Sequence, residues 1–155
     1  MELLIIVFLL GGLFLGWSLG ANDAANVFGT AVGTRMVQFK TAAIICSVFV
    51  ILGAIISGSG TTETLGKLGS INALPGAFSA CVAAGLSVYL MTKLGLPVST
   101  TQAIVGAIIG WNLYTGSSTN IQVLITILGT WVLCPIIAGL IAMLFFVITK
   151  NFIQK

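Results

Sequence analysis

Residues 20–26 read Gly-Ala-Asn-Asp-Ala-Ala-Asn, and they interrupt a strongly apolar stretch at the start of the chain. Asp23 is the only acidic residue between Glu2 and Glu63. A carboxylate at membrane depth costs about 3 kcal/mol on insertion scales, so it persists where it meets a cation, a polar partner or water. The segment therefore predicts either an ion or substrate site at a broken helix, or a hydrogen-bonded polar cluster that holds helices together.

The composition around this segment indicates lipid as the solvent. Of the 155 residues, 58% are hydrophobic and 6% are charged, and the mean hydropathy is +1.19. A soluble domain carries about 25% charged residues, so this composition excludes an ordinary water-soluble surface. The net charge of +3 is spread over the ends of apolar runs, which is typical of membrane orientation and not of nucleic-acid binding. Without histidine or a nucleophile–base pair, we expect neither an enzyme nor a cofactor.

The apolar runs predict an all-α, polytopic transmembrane protein with broken or re-entrant helices. Each membrane crossing needs about 20 mostly apolar residues. The candidate spans are residues 2–18, 41–57, 74–93 and 121–149, with a Gly/Ser/Thr-rich loop at 57–60. Residues 61–72 are expected to form an exposed loop, with a short helix within it as the alternative. We expect residues 1–155 to form a single membrane domain, with polar interruptions near 20–26 and 97–102.

Basic residues give an orientation through the positive-inside rule. If residues 97–115 cross the membrane, five basic residues share one side and Lys67 is alone on the other. The five are Arg35, Lys40, Lys93, Lys150 and Lys155. This bias predicts a multi-pass protein of the cell membrane with its N-terminus outside and its C-terminus inside. If 97–115 is instead re-entrant, the terminal lysines fall outside, an alternative that the charge bias disfavours.

The second polar interruption, residues 97–102, reads Pro-Val-Ser-Thr-Thr-Gln. Ser99 with Gln102 fits a capping box, so a helix should begin near Thr100. A helix N-terminus presents free N–H groups and partial positive charge, which suit an oxyanion. The hydroxyls of Ser99, Thr100 and Thr101 add donors. The alternative is an ordinary helix start at the membrane surface.

The two interruptions together predict the joint binding of an anion and a cation. Asn22, Asp23 and Asn26 offer the oxygen ligands that hard cations prefer. No basic residue lies in the middle of an apolar run, so a bound anion would depend on N–H groups, hydroxyls and a co-bound cation. A cation between Asp23 and the anion turns repulsion into attraction and would couple the transport of the two ions.

Residues 20–33 and 97–107 resemble the two motifs of one repeat of the inorganic phosphate transporter family, whose members are coupled to sodium or protons. The resemblance implies one half of an inverted-repeat transporter that carries phosphate, or sulfate as in close relatives. It also implies phosphate-binding and cation-binding residues, with a sodium ion at Asp23 and Asn26. The phosphate set is Asn22, Asp23, Ser99, Thr100 and Thr101, and the cation set is Asn22, Asp23 and Asn26.

The sequence departs from the family pattern in two respects. Gln102 stands where the family motif usually has histidine, and an amide does not titrate near neutral pH, which favours sodium as the coupling ion. One repeat is present, so we expect a second homologous half as partner, and a dimer of the completed unit surrounded by membrane lipid. The open alternatives are a sulfate transporter and a non-transporting membrane subunit that stabilises a larger transporter.

Overall fold

A computed structural model describes residues 2–69 and 74–152, and within these ranges the chain is helical with no strands. The all-α class is therefore confirmed. The five helices are α1 (Glu2–Gly33), α2 (Phe39–Leu68), α3 (Leu74–Lys93), α4 (Thr100–Thr115) and α5 (Ile121–Phe152). Four of them, α1, α2, α3 and α5, are long and apolar enough to cross a membrane. Such helices, exposing apolar side chains along most of their length, are those of an integral membrane protein.

The predicted break at residues 20–26 is wrong, because α1 continues through this segment as one helix of 32 residues. The segment contains three alanines and no proline, so its glycine and asparagines lower the helix propensity without breaking the helix. A continuous helix also satisfies its own backbone in lipid, where a break would leave N–H and C=O groups unpaired. The polar side chains are instead accommodated on the helix surface.

The loop predicted for residues 57–72 is also wrong as far as Leu68, where α2 ends. Hydroxyl groups in this stretch bond back to carbonyls one turn earlier, as the Thr62 Oγ1 does to the Gly58 oxygen at 2.9 Å. Glu63 and Lys67 form an ion pair at i,i+4 spacing. Both features let a polar sequence remain helical. Residues 70–72 of the predicted loop lie outside the described residues.

Helices α3 and α4 form an antiparallel hairpin. The helix predicted at 74–93 is confirmed by α3, and the predicted helix start is confirmed at Thr100, where the Gln102 N–H donates to Ser99 Oγ at 3.3 Å. Gly116, at φ 69°, ends α4 in the left-handed conformation. A Cβ on Gly76 would lie 2.9 Å from the Trp111 ring. The last turn of α4 thus lies against the beginning of α3.

Helix α1 packs along α3, and the two helices run parallel to each other. Phe8 meets Phe78 with ring centroids 5.7 Å apart, and further along both helices Trp17 meets Tyr89 at 5.6 Å. A Cβ on Gly11 would lie 2.8 Å from the Phe78 ring, so this glycine is what permits the close approach. The parallel register brings the later part of α1 beside the end of α3.

The chain divides into two compact units, Met1–Thr119 and Asn120–Lys155. The first unit contains the hairpin and both polar interruptions. The second contains α5, which continues through Pro135. That residues 1–155 form a single membrane domain stays a prediction.

Candidate functional site

The polar segment of α1 meets the tip of the α3–α4 hairpin. Asn22 is 4% exposed, and its Nδ2 donates to the Val98 carbonyl oxygen at 2.6 Å. Thr92 Oγ1, in the last turn of α3, donates to Asn22 Oδ1 at 3.5 Å. One amide side chain therefore contacts both ends of the loop that joins α3 to α4.

Asp23 links α1 to the first residue of α4. Its Oδ1 accepts hydrogen bonds from Asn22 Nδ2 at 2.8 Å and from Thr100 Oγ1 at 3.1 Å. Asp23 is half-buried and Thr100 is 6% exposed. The carboxylate and this hydroxyl are 77 positions apart in sequence, and the fold brings the two polar interruptions into direct contact.

Some backbone N–H groups in the first turn of α4 remain free to donate a hydrogen bond. Ser99 takes up two N–H groups, since its Oγ accepts from Gln102 and its carbonyl oxygen accepts from the Ala103 N–H at 3.1 Å. The N–H groups of Thr100 and Thr101 have no hydrogen bond to the described part of the chain. Free N–H groups and the positive end of the helix dipole favour an anion here, and the Asp23 carboxylate lies close by, bonded to the Thr100 hydroxyl.

The remaining predicted site residues lie around this cluster without joining its hydrogen bonds. Asn26, one turn beyond Asn22 on α1, is exposed, as are Ser99 and Thr101. Among the described residues, the side chains of Asn26 and Thr101 have no hydrogen-bond partner. The cluster thus unites Asn22, Asp23 and Thr100, while the other three residues line its rim.

Two members of the cluster were absent from the sequence-based set. The Val98 carbonyl is a backbone group, and nothing in the sequence marks a particular carbonyl as an acceptor. Thr92 carried a weak signal, because it is a hydroxyl residue next to the lysine that ends an apolar span.

The oxygens of the cluster are of the type that hard cations prefer, and they do not form a transition-metal ligand set. The described residues contain no group of three or more His, Cys, Asp or Glu side chains placed to hold a metal ion. Asp23 provides a single negative charge, with the amide oxygen of Asn22 beside it. Carboxylate and amide oxygens are ligands that hard cations prefer.

An open groove of about 340 Å³ lies beside the hairpin tip. Residues from the end of α3 and the beginning of α4 line it, including Met91, Ser99 and Gln102, but neither Asn22 nor Asp23 does. The groove is therefore a neighbour of the hydrogen-bonded cluster and not the same cavity.

The apolar helices, four of them long enough to cross a membrane, define the class of polytopic helical membrane proteins. Comparison with known protein families identifies the family within this class. Residues 19–155 match the model of the phosphate transporter family. The chain belongs to this family, which confirms the resemblance seen in its two motifs.

Curated relatives align with nearly the whole chain. A protein of Pyrococcus furiosus is 35% identical over 98% of this chain, and one of Haemophilus influenzae is 36% identical over 92%. Each is named "Putative phosphate permease". The chain covers 40% and 36% of these two relatives, respectively. No solved structure matches the chain significantly.

Proposed function

We propose that this chain is one half of a sodium-coupled phosphate symporter, whose anion and cation meet where α1 contacts the hairpin tip. The observation that carries the proposal is the hydrogen bond from Thr100 Oγ1 to Asp23 Oδ1. It joins the two polar segments within a family whose model describes phosphate transporters.

The phosphate would bind at the N-terminus of α4. The free N–H groups of Thr100 and Thr101 supply donors there, and the exposed hydroxyls of Ser99 and Thr101 can add two more. The Thr100 hydroxyl has a single hydrogen, which it donates to Asp23. Thr100 would therefore serve the anion through its backbone and hold Asp23 through its side chain.

Sodium would bind at Asp23 with the side-chain oxygens of Asn22 and Asn26. An anion about 4 Å from the Asp23 carboxylate is repelled by about 4 kcal/mol per unit charge at an effective dielectric of about 20. A cation between them reverses this sign, so each ion strengthens the binding of the other. This mutual dependence is what a symporter requires.

Gln102 supports sodium as the coupling ion. Its side chain lines the groove beside the site, and an amide accepts and donates hydrogen bonds without titrating near neutral pH. The chain has no histidine, so the usual proton carrier in that pH range is missing from it.

A second homologous half would complete the site. Asp23 is half-buried, and Asn26 and Thr101 are exposed in this chain, a surface that is too polar to face lipid. The chain spans about 40% of the relatives it matches, which leaves room for such a half. The completed unit would lie in the cell membrane with the N-terminus of this chain outside and its C-terminus inside, and would dimerise.

Uptake of labelled phosphate into proteoliposomes tests the proposal. The chain is reconstituted alone and together with its second half, and its orientation is determined by cysteine labelling from each side. We expect phosphate uptake to require both halves and an inward sodium gradient. Excess sulfate should inhibit this uptake little. Sulfate uptake in preference to phosphate would make the chain a sulfate transporter. Equal uptake by the partner without this chain would make it a non-transporting subunit.

A further inference from the structure

Lys93, the last residue of α3, folds its side chain back along the helix. Its Nζ lies 5.7 Å from the centroid of the Tyr89 ring, one turn earlier. Tyr89 in turn packs against Trp17 of α1. A lysine near a membrane surface normally extends its ammonium toward the water. Here the ammonium points instead toward the beginning of α3.

The length of α1 gives the depth of this ammonium. Its 32 residues span about 48 Å at about 1.5 Å per residue, close to the full thickness of about 40–45 Å that includes the headgroup regions. Between Glu2 and Arg35 the sequence has Asp23 as its only charged residue. The centre of α1 falls near Trp17. Because the Lys93 ammonium lies over the Tyr89 ring that Trp17 contacts, we place it inside the membrane, beside the middle part of α1.

The hairpin has the shape of a re-entrant element. Helix α4 has 16 residues, or about 24 Å, which is short of the hydrocarbon thickness of about 30 Å. It returns from the tip to the beginning of α3, where Trp111 covers Gly76. The tip meets α1 at Asp23, and α1 continues for about 15 Å beyond this contact. Both arms of the hairpin therefore enter from the side where α1 begins, and the tip ends inside the membrane.

The charge of Lys93 has no partner in the described part of the chain, where the ion pair present is that of Glu63 and Lys67. Asp23 is already bonded by an amide and a hydroxyl. Lys93 is exposed on this unit, and an ammonium at this depth cannot face hydrocarbon without a large cost. An anion is the partner that would neutralise it.

We propose that Lys93 is an intramembrane cation of the anion site, which attracts and holds the phosphate dianion at the hairpin tip. The inference rests on the proposed function. It replaces the sequence-based expectation that an anion in this chain has no basic residue to rely on, and the assignment of Lys93 to the aqueous side. The flexible four-carbon stem lets the ammonium move between the Tyr89 ring and an anion at the N-terminus of α4.

Amine labelling measures the position of Lys93 in the unmodified chain. Sealed vesicles that contain the chain with its second half are treated from each side with a membrane-impermeant acetylating ester, and each lysine is followed by mass spectrometry. We expect Lys93 to react at least about tenfold more slowly than Lys40 and Lys67, and phosphate to slow it further. Labelling as fast as that of Lys40, or indifferent to phosphate, would overturn the inference.

Substitution measures the role of the charge. In the same vesicles, Lys93→Gln should raise the phosphate concentration needed for half-maximal uptake at least about tenfold, because a hydrogen bond to a charged group is lost. Lys93→Arg keeps the charge and should retain most of the affinity, and Lys67→Gln is the matched control. If the wild type is active and Lys93→Gln has unchanged phosphate affinity, the role proposed for Lys93 is overturned and the proposed function stands. A wild type without phosphate uptake would refute the proposed function, and this inference with it.

Discussion

Replacement of Asn22 by alanine tests whether the polar segment of α1 holds the hairpin tip. The amide makes two donated hydrogen bonds, to the Val98 carbonyl at 2.6 Å and to Asp23 at 2.8 Å. It also accepts a longer bond from Thr92 at 3.5 Å. Asn22→Ala removes all three and leaves the Val98 carbonyl and the Asp23 carboxylate with fewer donors in a buried position.

The expected cost can be worked out from these bonds. A neutral hydrogen bond contributes about 1 kcal/mol and one to a carboxylate about 1.5–3 kcal/mol, whereas side-chain bonds within membranes average about 0.6 kcal/mol. Taking the lower values because water can enter at the rim, we expect Asn22→Ala to lower the free energy of unfolding by about 2 kcal/mol. Asn26→Ala, one turn further along the same helix, removes an exposed amide and should cost less than about 0.5 kcal/mol.

The assay is unfolding of the purified chain in mixed micelles by titration with a denaturing detergent, followed by tryptophan fluorescence. Trp17 reports on the contact between α1 and α3, since its ring packs on Tyr89. If the two alanine variants unfold with the same free energy, within about 0.5 kcal/mol, the contact between the polar segment and the hairpin tip is refuted.

Three further predictions follow from the same contacts. Replacing Thr100 and Thr101 together by valine should weaken phosphate affinity at least about tenfold in equilibrium binding while insertion stays normal, because the Thr101 hydroxyl donor and the Thr100 bond that holds Asp23 are both lost at nearly constant volume; equal affinity would reduce both to a helix start. Gly11→Ala should destabilise the α1–α3 contact, because a Cβ there would lie 2.8 Å from the Phe78 ring. Gly12→Ala is the control, since its Cβ would meet nothing within 4 Å, and equal detergent unfolding midpoints for the two variants would contradict this packing. Sodium-driven uptake should follow only the titration of phosphate itself between pH 6 and 8, because the chain has no histidine; a strict need for a proton gradient would refute it.

Much of the helical fold could be predicted from the sequence because membrane spans depend on length and apolarity alone. The helix at 74–93 and the helix start at Thr100 are both confirmed. The errors share one cause, since polar residues at 20–26 and 57–68 suggested breaks where the chain stays helical. Polar side chains lower helix stability little when they bond to neighbours or to their own backbone, so hydropathy by itself overestimates interruptions.

The site could be predicted only in part. The residue types of Asn22, Asp23 and Thr100 marked them as unusual in an apolar chain, and family resemblance placed them together. Their actual partners could not be foreseen, because the Val98 carbonyl and the side chain of Thr92 depend on the register of α1 against α3. The depth proposed for Lys93 could not be foreseen for the same reason. A lysine at the end of an apolar run indicates a surface residue, and the proposal depends on the packing of Tyr89 on Trp17.

The central claim is that Asp23 binds the cation that couples to phosphate at the hairpin tip. The most direct test is the initial rate of labelled phosphate uptake, as a function of the sodium gradient, in vesicles that hold either the wild-type chain or Asp23→Asn with the second half. The substitution keeps the size of the side chain and its hydrogen bond with Thr100, and removes the charge. We predict that sodium-dependent uptake is lost while the chain inserts at its normal level. Uptake near the wild-type rate with unchanged sodium dependence would contradict the account.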